Sequence, residues 1–294
     1  MHYQTVKGIL SARNGMNIYR GCTHGCIYCD SRSECYQINH DFEDVAVKIN
    51  APELLANALS KKRSKCMIST GSMSDPYLPI EKELQLTRKC ISIINDLNFG
   101  FTVLTKSDLI LRDIDLLKTI NEKTKCVVQI TLTTYDDQLT SIIEPNVALT
   151  SRRIEVLNIM KEHHIPTVVW LCPILPFIND NKDNISKILN ACKEADVKGI
   201  LCFGMGVTLR KGDREYFYQK LDQHFKGVKD KYIKTYGDSY YCPSLNEKDL
   251  MTYFNQFCID NNILYQPQTV FDYLSTLNVG NQNQQLSLFE EGTI

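Results

Sequence analysis

Short apolar stretches alternate with amphipathic ones from residue 16 to residue 206. Helical periodicity is clear at 52–63, 112–121 and 151–164, where Pro52 and Ser151 suit helix starts. Apolar stretches that alternate with helices indicate parallel strands covered by helices. The predicted strands, which are rich in β-branched residues, span 16–19, 66–70, 99–105, 126–134, 166–174 and 199–206.

Six strand–helix units predict the architecture. They are too few for a closed eight-fold barrel, so we predict an α/β fold built on a partial, open (β/α)6 TIM-type barrel. Functional residues in such barrels gather at the carboxyl ends of the strands. The first strand runs directly into the loop RGCTHGCIYC, residues 20–29, which we therefore expect on the functional face.

The character of the chain changes after residue 210. We predict a core at 1–210 and, at 211–275, a mixed C-terminal extension that is basic, rich in tyrosine and packed on the barrel. Residues 276–294 are polar with one apolar island, which favours a flexible tail.

Overall charge and hydropathy limit the binding partners and the cellular location that we expect for the protein. The 294 residues include 33 Lys and Arg against 34 Asp and Glu, so binding to nucleic acid through bulk charge is not expected, although a local basic stripe would serve. No apolar stretch approaches the roughly 20 residues of a membrane span, and the N-terminus has no signal-peptide core. We predict a cytoplasmic protein without a membrane partner, whose twelve cysteines stay reduced.

Three cysteines form one cluster with the spacing C-x3-C-x2-C: Cys22, Cys26 and Cys29. The other nine show no metal-like pairing, and most lie in apolar stretches where a thiol is a small core residue. These nine are Cys35, Cys66, Cys90, Cys126, Cys172, Cys192, Cys202, Cys242 and Cys258.

The cluster has two interpretations. A structural zinc site takes four ligands, and the fourth could come from His24, Cys35 or His40. An iron–sulfur cube held by three thiolates instead leaves one iron open for a cofactor. The single cluster favours the iron–sulfur interpretation, because structural zinc sites usually pair two short knuckles.

The loop, with Tyr28 before its last cysteine, resembles radical S-adenosylmethionine (SAM) enzymes, and residues 15–210 resemble their spore photoproduct lyase family. The stretches that carry this resemblance are NIYRGCTHGCIYC, STGSMSDPYLPIEKELQLTR, VLTKSDLILRDIDLL, TLTTYDD with IEPNVALTSRR, and PTVVWLCPILPFIND. The resemblance implies a [4Fe-4S] cluster whose open iron binds SAM. An electron from a reducing donor then cleaves SAM to a 5′-deoxyadenosyl radical, which abstracts a substrate hydrogen.

Matched by position, the resemblance implies that Cys22, Cys26 and Cys29 bind the cluster. It also implies that Tyr28 lies against the adenine of SAM. The other implied SAM contacts are Gly71 and Ser72 after the second strand, Lys106 at the end of the third and Thr131 on the fourth. Each also has a purely structural interpretation, as a turn, a loop charge or a strand former.

The sequence departs from the spore enzyme at two positions. That enzyme returns a hydrogen atom from a cysteine after the second strand, where this chain reads TGSMSD, and Cys66 lies at the opposite end of the strand. It also has a tyrosine where this chain has Asp30. We therefore do not expect a true spore photoproduct lyase. The catalytic residues stay unassigned, with Asp75 and Cys35 as candidates, and Asp75 would equally serve as a cap before a turn.

Two features indicate DNA as a partner. The extension interleaves lysines and arginines with tyrosines, which suits a groove for unpaired bases, unless the tyrosines pack inward. The tail peptide QLSLF (Gln285, Leu286, Ser287, Leu288, Phe289) resembles the motif that docks bacterial proteins on the DNA polymerase sliding clamp, unless it packs on its own domain. The alternatives are radical modification of RNA or a peptide, and a non-catalytic regulatory module that carries zinc or a cluster.

Overall fold

The computed structural model describes residues 1–277. Its strands are β1 (His2–Gln4), β2 (Gly15–Met16), β3 (Tyr19–Arg20), β4 (Ala46–Lys48), β5 (Met67–Thr70), β6 (Gly100–Thr105), β7 (Cys126–Thr131), β8 (Thr167–Trp170), β9 (Gly199–Leu201), β10 (Gly206–Thr208) and β11 (Tyr241–Pro243). Its α-helices are α1 (Ala51–Ser60), α2 (Glu81–Leu84), α3 (Leu86–Asp96), α4 (Ile114–Lys123), α5 (Asp137–Ile143), α6 (Thr150–Glu162), α7 (Lys182–Glu194), α8 (Asp213–His224), α9 (Val228–Tyr236), α10 (Glu247–Asp260) and α11 (Pro267–Ser275).

The central sheet has six parallel strands in the order β2-β5-β6-β7-β8-β9. Within residues 1–277, β2 and β9 form the two edges and do not pair with each other, so the sheet stays open. All six residues of β7 are buried, as expected for a central strand with both faces covered. The predicted α/β class with a partial barrel is confirmed.

Two predicted strands are each divided in the structure. The stretch at 16–19 becomes β2 in the main sheet and β3 in a small sheet with β1 and β4, because the chain turns away at Asn17 and Ile18. The carbonyls of these two residues accept hydrogen bonds from the side chain and the backbone of Lys48. The stretch at 199–206 becomes β9 and β10, and Gly204 between them has a φ of +133°.

The sheet has a convex and a concave face. The convex face packs against helices, with α4 on β6 and β7 and α6 on β7 and β8. On the concave face, Val127, Val168 and Leu201 contact Val270 and Leu274 of α11. The C-terminal helix therefore covers part of the concave face, which positions its residues next to the interior of the barrel.

The extension packs on the cysteine loop. Phe217 and Tyr232 share a buried cluster with Ile27. Tyr232 is fully buried, whereas Tyr240 is 49% exposed. The inward packing that the sequence left open for the tyrosines thus holds for Tyr232. Every helix described in residues 1–277 is too short or too polar to traverse a bilayer.

Candidate functional site

The three clustered cysteines lie on one cavity. The loop that carries them follows β3 and ends at a 3-10 turn, Asp30–Arg32. Cys22 and Cys26 are buried and Cys29 is partly buried, and all three line a cavity of about 130 Å³ at the carboxyl ends of the strands. This is the face that the sequence predicts for chemistry.

Backbone hydrogen bonds fix the cysteine loop at both ends. The Cys22 N–H donates to the Phe42 carbonyl, and the Ile27 N–H donates to the Ile143 carbonyl, each at 2.9 Å. Gly21 has a φ of +87°, and a Cβ there would lie 2.5 Å from the Phe42 carbonyl oxygen. Only glycine therefore lets the chain enter the loop at this position.

Four candidate residues meet the cysteines on this cavity: Gly71, Ser72 and Lys106, predicted from strand ends, and Asp75, predicted as a catalytic residue or a cap. Gly71 has a φ of +100°, and a Cβ there would lie 2.0 Å from the Leu104 carbonyl oxygen. The glycine is thus required for the close approach of the loop after β5 to β6. Its role in binding SAM stays a prediction, as do the roles of Ser72 and Lys106.

The other three predicted site residues do not line the cavity. Tyr28 is buried behind it, and Thr131 is on the concave side of β7, beside Trp170 in register. Cys35 is exposed, with its Sγ 3.2 Å from Nη1 of Arg210. It lies outside the cavity lining, so the structure gives no support to a catalytic role.

Asp75 ties the cysteine loop to the end of β6. Its carboxylate accepts hydrogen bonds from the Thr105 hydroxyl at 2.7 Å and the Lys106 N–H at 2.8 Å. Nε2 of His24, a residue inside the loop, lies 3.1 Å from Oδ2 of Asp75. Burial raises the pKa of Asp75, but His24 and these donors outweigh it and bring that pKa to about 2. Asp75 therefore joins the cysteine loop to the end of β6.

The structure weighs against His24 as the fourth ligand of a zinc site. Nδ1 of His24 is 3.0 Å from the Asn146 carbonyl oxygen. Its Nε2 is buried 3.1 Å from Oδ2 of Asp75, an ion-pair distance without hydrogen-bond geometry, so the Asp75 carboxylate stands beside the nitrogen that would have to bind zinc. Over residues 1–277, no group of three or more His, Cys, Asp and Glu side chains is arranged to hold a single metal ion.

A buried ion pair behind the cavity was missed by sequence reasoning. Arg153 of α6 pairs with Glu144, and both side chains are fully buried. The Tyr28 hydroxyl donates to the same carboxylate, and Nη1 of Arg153 donates to the Thr131 carbonyl at 2.7 Å. Tyr28 precedes Cys29, so this network anchors the loop. A signal lay in IEPNVALTSRR, which contains both Glu144 and Arg153, but Tyr28 is 116 residues from Glu144.

The donor set fits an iron–sulfur cluster held by three thiolates. Burial raises the pKa of the Cys22 thiol to about 12 and the pKa of Cys26 well above its usual value. Metal ligation requires thiolates, so positive charge must be supplied where they ionise. The irons of a cluster would supply it. Burial lowers the pKa of Lys106, but Cys26 and Glu144 outweigh burial and raise it, so its ammonium adds positive charge there.

A larger cavity of about 920 Å³ lies at the amino ends of the strands, opposite the cysteine cavity. It is lined by residues such as Pro166, Thr167 and Lys198, which stand at the amino ends of β8 and β9. None of the clustered cysteines lines it, and active sites of such barrels lie at the carboxyl ends of the strands, not at the amino ends. We therefore assign the smaller cavity as the site.

Several known proteins are similar to this chain in sequence. An uncharacterized protein of Methanocaldococcus jannaschii is 36% identical over 174 residues, a match that covers 58% of this chain and 64% of that protein. A radical SAM Nalpha-GlyT isomerase of Pseudomonas phage M6 is 25% identical over 168 residues, covering 55% of this chain and 33% of the isomerase.

A similar fold occurs in spore photoproduct lyase with bound AdoMet and dinucleoside spore photoproduct. The TM-score is 0.62 at 14% identity, covering 84% of this chain and 74% of the lyase. The model of the family described as the Radical SAM superfamily matches residues 16–192, which include the cysteine loop and β3 to β8. The chain belongs to the radical SAM superfamily.

Proposed function

We propose that the protein is a cytoplasmic radical SAM enzyme that acts on DNA, with a lyase-like or modifying reaction. Enzymes of its superfamily use a [4Fe-4S] cluster and SAM. Cys22, Cys26 and Cys29 would hold the cluster, because their thiols line one cavity. When bound, these cofactors supply reductive cleavage of SAM and abstraction of a hydrogen atom from the substrate.

The chain's own groups orient the cofactors and shape the cavity. Lys106 contributes a protonated ammonium, and Gly71 allows a close backbone approach. Asp75 holds the loop and the end of β6 together through His24 and the Lys106 backbone. Fixed charges of this kind need no rearrangement when a charged ligand enters.

An exposed aromatic cluster carries the proposal of a nucleic-acid substrate. Trp170 of β8, Phe203 after β9 and Phe271 of α11 have ring centroids 5.8 to 6.3 Å apart. Phe203 is 54% exposed and Phe271 is 39% exposed. Exposed aromatic side chains that gather in one patch mark binding sites, and stacking a base on such a ring is worth about 1–3 kcal/mol.

The cluster shares the concave face with the cysteine cavity. Leu104, which lines the cavity, is in register with Gln129, and Thr131 is in register with Trp170. The Trp170 indole N–H donates to the Gln129 side chain at 2.7 Å, and the Gln129 amide donates to the Thr102 hydroxyl at 2.7 Å. The indole is therefore held rigid, and a base stacked on the patch would lie on the same side of the sheet as Leu104.

A protein of similar fold also supports a nucleobase as the substrate. The spore photoproduct lyase of similar fold was solved with a dinucleoside ligand. The concave face has an aromatic patch suited to the planar rings of such a ligand. This favours a nucleobase over an aliphatic peptide side chain as the group that enters the site.

A deuterium-transfer assay tests the function. Reduced, cluster-loaded protein with SAM and a fully deuterated oligodeoxynucleotide should yield 5′-deoxyadenosine that contains deuterium. Phe203→Ala should lower this transfer by roughly tenfold, because one stacking contact is lost, while leaving SAM cleavage without DNA unchanged. The matched control is Tyr3→Ala, at an aromatic residue with a similar exposure of 55%. Mass spectrometry of the product gives both readings.

Deuterium that arrives from deuterated RNA or peptide, but not from DNA, would contradict the proposed substrate. Absence of any 5′-deoxyadenosine from iron-loaded protein would favour the regulatory module. An equal loss of deuterium transfer in Phe203→Ala and Tyr3→Ala would show that the aromatic patch does not bind the substrate.

We further propose recruitment by the sliding clamp through Gln285–Phe289, which lies outside the described residues. A peptide of residues 281–291 should bind the clamp of the same organism with a micromolar Kd, about −8 kcal/mol. Leu288→Ala with Phe289→Ala should remove binding, because these side chains are the apolar anchors, and Ser287→Ala should not. Calorimetry is the measurement. No binding at high micromolar clamp would contradict recruitment, and a lower melting temperature in the double variant would favour a self-packed tail.

A further inference from the structure

A second pocket adjoins the cysteine cavity. It has a volume of about 270 Å³, and Met73 lines both it and the cavity. Arg20 and Lys48 contribute their side chains, and Tyr36 forms another part of the wall. We call it the Arg20 pocket. It lies beside Gly21, one residue before the first clustered cysteine.

Both cations of the Arg20 pocket are held in place by carbonyl groups. Nη2 of Arg20 donates to the carbonyls of Tyr36 and Gln37, each at 2.9 Å. Nζ of Lys48 donates to the Asn17 carbonyl at 2.6 Å. These bonds leave Nε and Nη1 of Arg20 and further ammonium protons of Lys48 available for an anion.

The charge of the two cations is not neutralised by a carboxylate in the part of the chain that the structure describes. Asp30, which accepts a hydrogen bond from the Tyr36 hydroxyl of the pocket wall, already pairs with Arg210. Burial lowers the pKa of Lys48, and the like charge of Arg20 lowers it further. An anion between the two side chains would remove this repulsion and offset the partial burial of Lys48, while Arg20 is exposed to solvent.

We propose that the Arg20 pocket binds a backbone phosphate of the nucleic-acid strand whose base stacks on the aromatic patch. This rests on the proposed function and specifies how the substrate is held. A phosphodiester has one negative charge and two free oxygens, which match one guanidinium and one ammonium. The phosphate contact would fix the strand, and the aromatic patch across the concave face would receive a base.

Another anion could use the same chemistry. SAM carries a carboxylate, and the cysteine cavity in which we propose that SAM binds adjoins the Arg20 pocket. The experiment therefore measures oligonucleotide binding and SAM binding separately. The probe is a fluorescein-labelled ten-residue oligothymidylate, followed by polarisation on anaerobic, cluster-loaded protein over a range of salt concentrations.

The test variant is Arg20→Gln with Lys48→Gln. Its control is Lys61→Gln with Arg63→Gln. This variant removes one exposed lysine and one exposed arginine, which lie after α1 and before the amino end of β5. The test variant should bind the probe about tenfold more weakly at low salt, with a slope of log K against log salt smaller by about 0.7 per cation removed. The control should change neither quantity, and both variants should bind SAM like the parent protein.

A conservative variant guards against loss of folding. Arg20→Lys keeps the charge and should keep the salt slope of the parent. Unchanged probe binding in the test variant would overturn the phosphate site while leaving DNA as the substrate. Loss of SAM affinity without loss of probe affinity would assign the cations to the cofactor and also overturn it. Failure of deuterium transfer from DNA, with salt-dependent binding intact, would instead overturn the proposed function.

Discussion

Replacing any one of Cys22, Cys26 or Cys29 with alanine is expected to reduce both bound iron and 5′-deoxyadenosine production to background. The three thiols line one cavity, and each would hold a different iron of the cluster. With one thiol missing, one iron would lose its protein ligand. Asp75 is bonded to Thr105 and Lys106, and no other residue of the cavity wall offers a free thiol.

The matched control is Cys35→Ala. Cys35 is six residues after Cys29, but it is exposed and contacts Arg210 outside the cavity. Iron, sulfide and zinc analysis of anaerobically purified protein, followed by product assay after reduction, gives the result. Loss of the cluster in Cys35→Ala, or stoichiometric zinc without iron in the parent protein, would contradict the assignment.

The sequence predicts those parts of the site that depend on strand ends. Gly71 and Lys106 follow two neighbouring strands, so a parallel sheet must bring them to one edge, next to the loop after the first strand. The fully buried β7 likewise has a local apolar signal. In both cases the pattern and its structural consequence lie within a few residues of each other.

The parts that could not be predicted depend on distant partners. His24 and Asp75 are 51 positions apart along the chain, and Tyr28 meets Glu144 across 116 residues. No local periodicity links such pairs. The packing of α11 on the concave face is a similar case, because an amphipathic helix shows that it has an apolar face without showing which surface it covers.

The prediction with the largest expected effect on stability concerns the buried pair behind the loop. Arg153→Met should lower the free energy of unfolding by about 3–5 kcal/mol, because it leaves the Glu144 carboxylate buried without its cation. The matched control is Arg152→Met, the adjacent residue of α6. Arg152 is 38% exposed and pairs with Asp108 and Glu155 at the surface, so its loss should cost less than about 1 kcal/mol.

The effect should depend on pH in a definite direction. Burial raises the pKa of Glu144, but Arg153, Lys106 and Tyr28 outweigh burial and hold it below its usual value. In the parent, the carboxylate therefore adds stability above the usual glutamate pKa of about 4.3, and this is lost as the pH falls through the lower folded value. Without Arg153, burial should raise the folded pKa, so the penalty should shrink as the pH falls and the carboxyl takes up a proton.

A second substitution separates the lost ion pair from the lost packing. Glu144→Gln combined with Arg153→Met removes both charges, so it should recover part of the stability lost in Arg153→Met alone. Urea unfolding of the single and double variants at several pH values measures this coupling. Iron content should follow the same order, because Glu144 also accepts the Tyr28 hydroxyl one residue before Cys29. Equal destabilisation by Arg153→Met and Arg152→Met would show that the buried pair does not hold the cysteine loop in place.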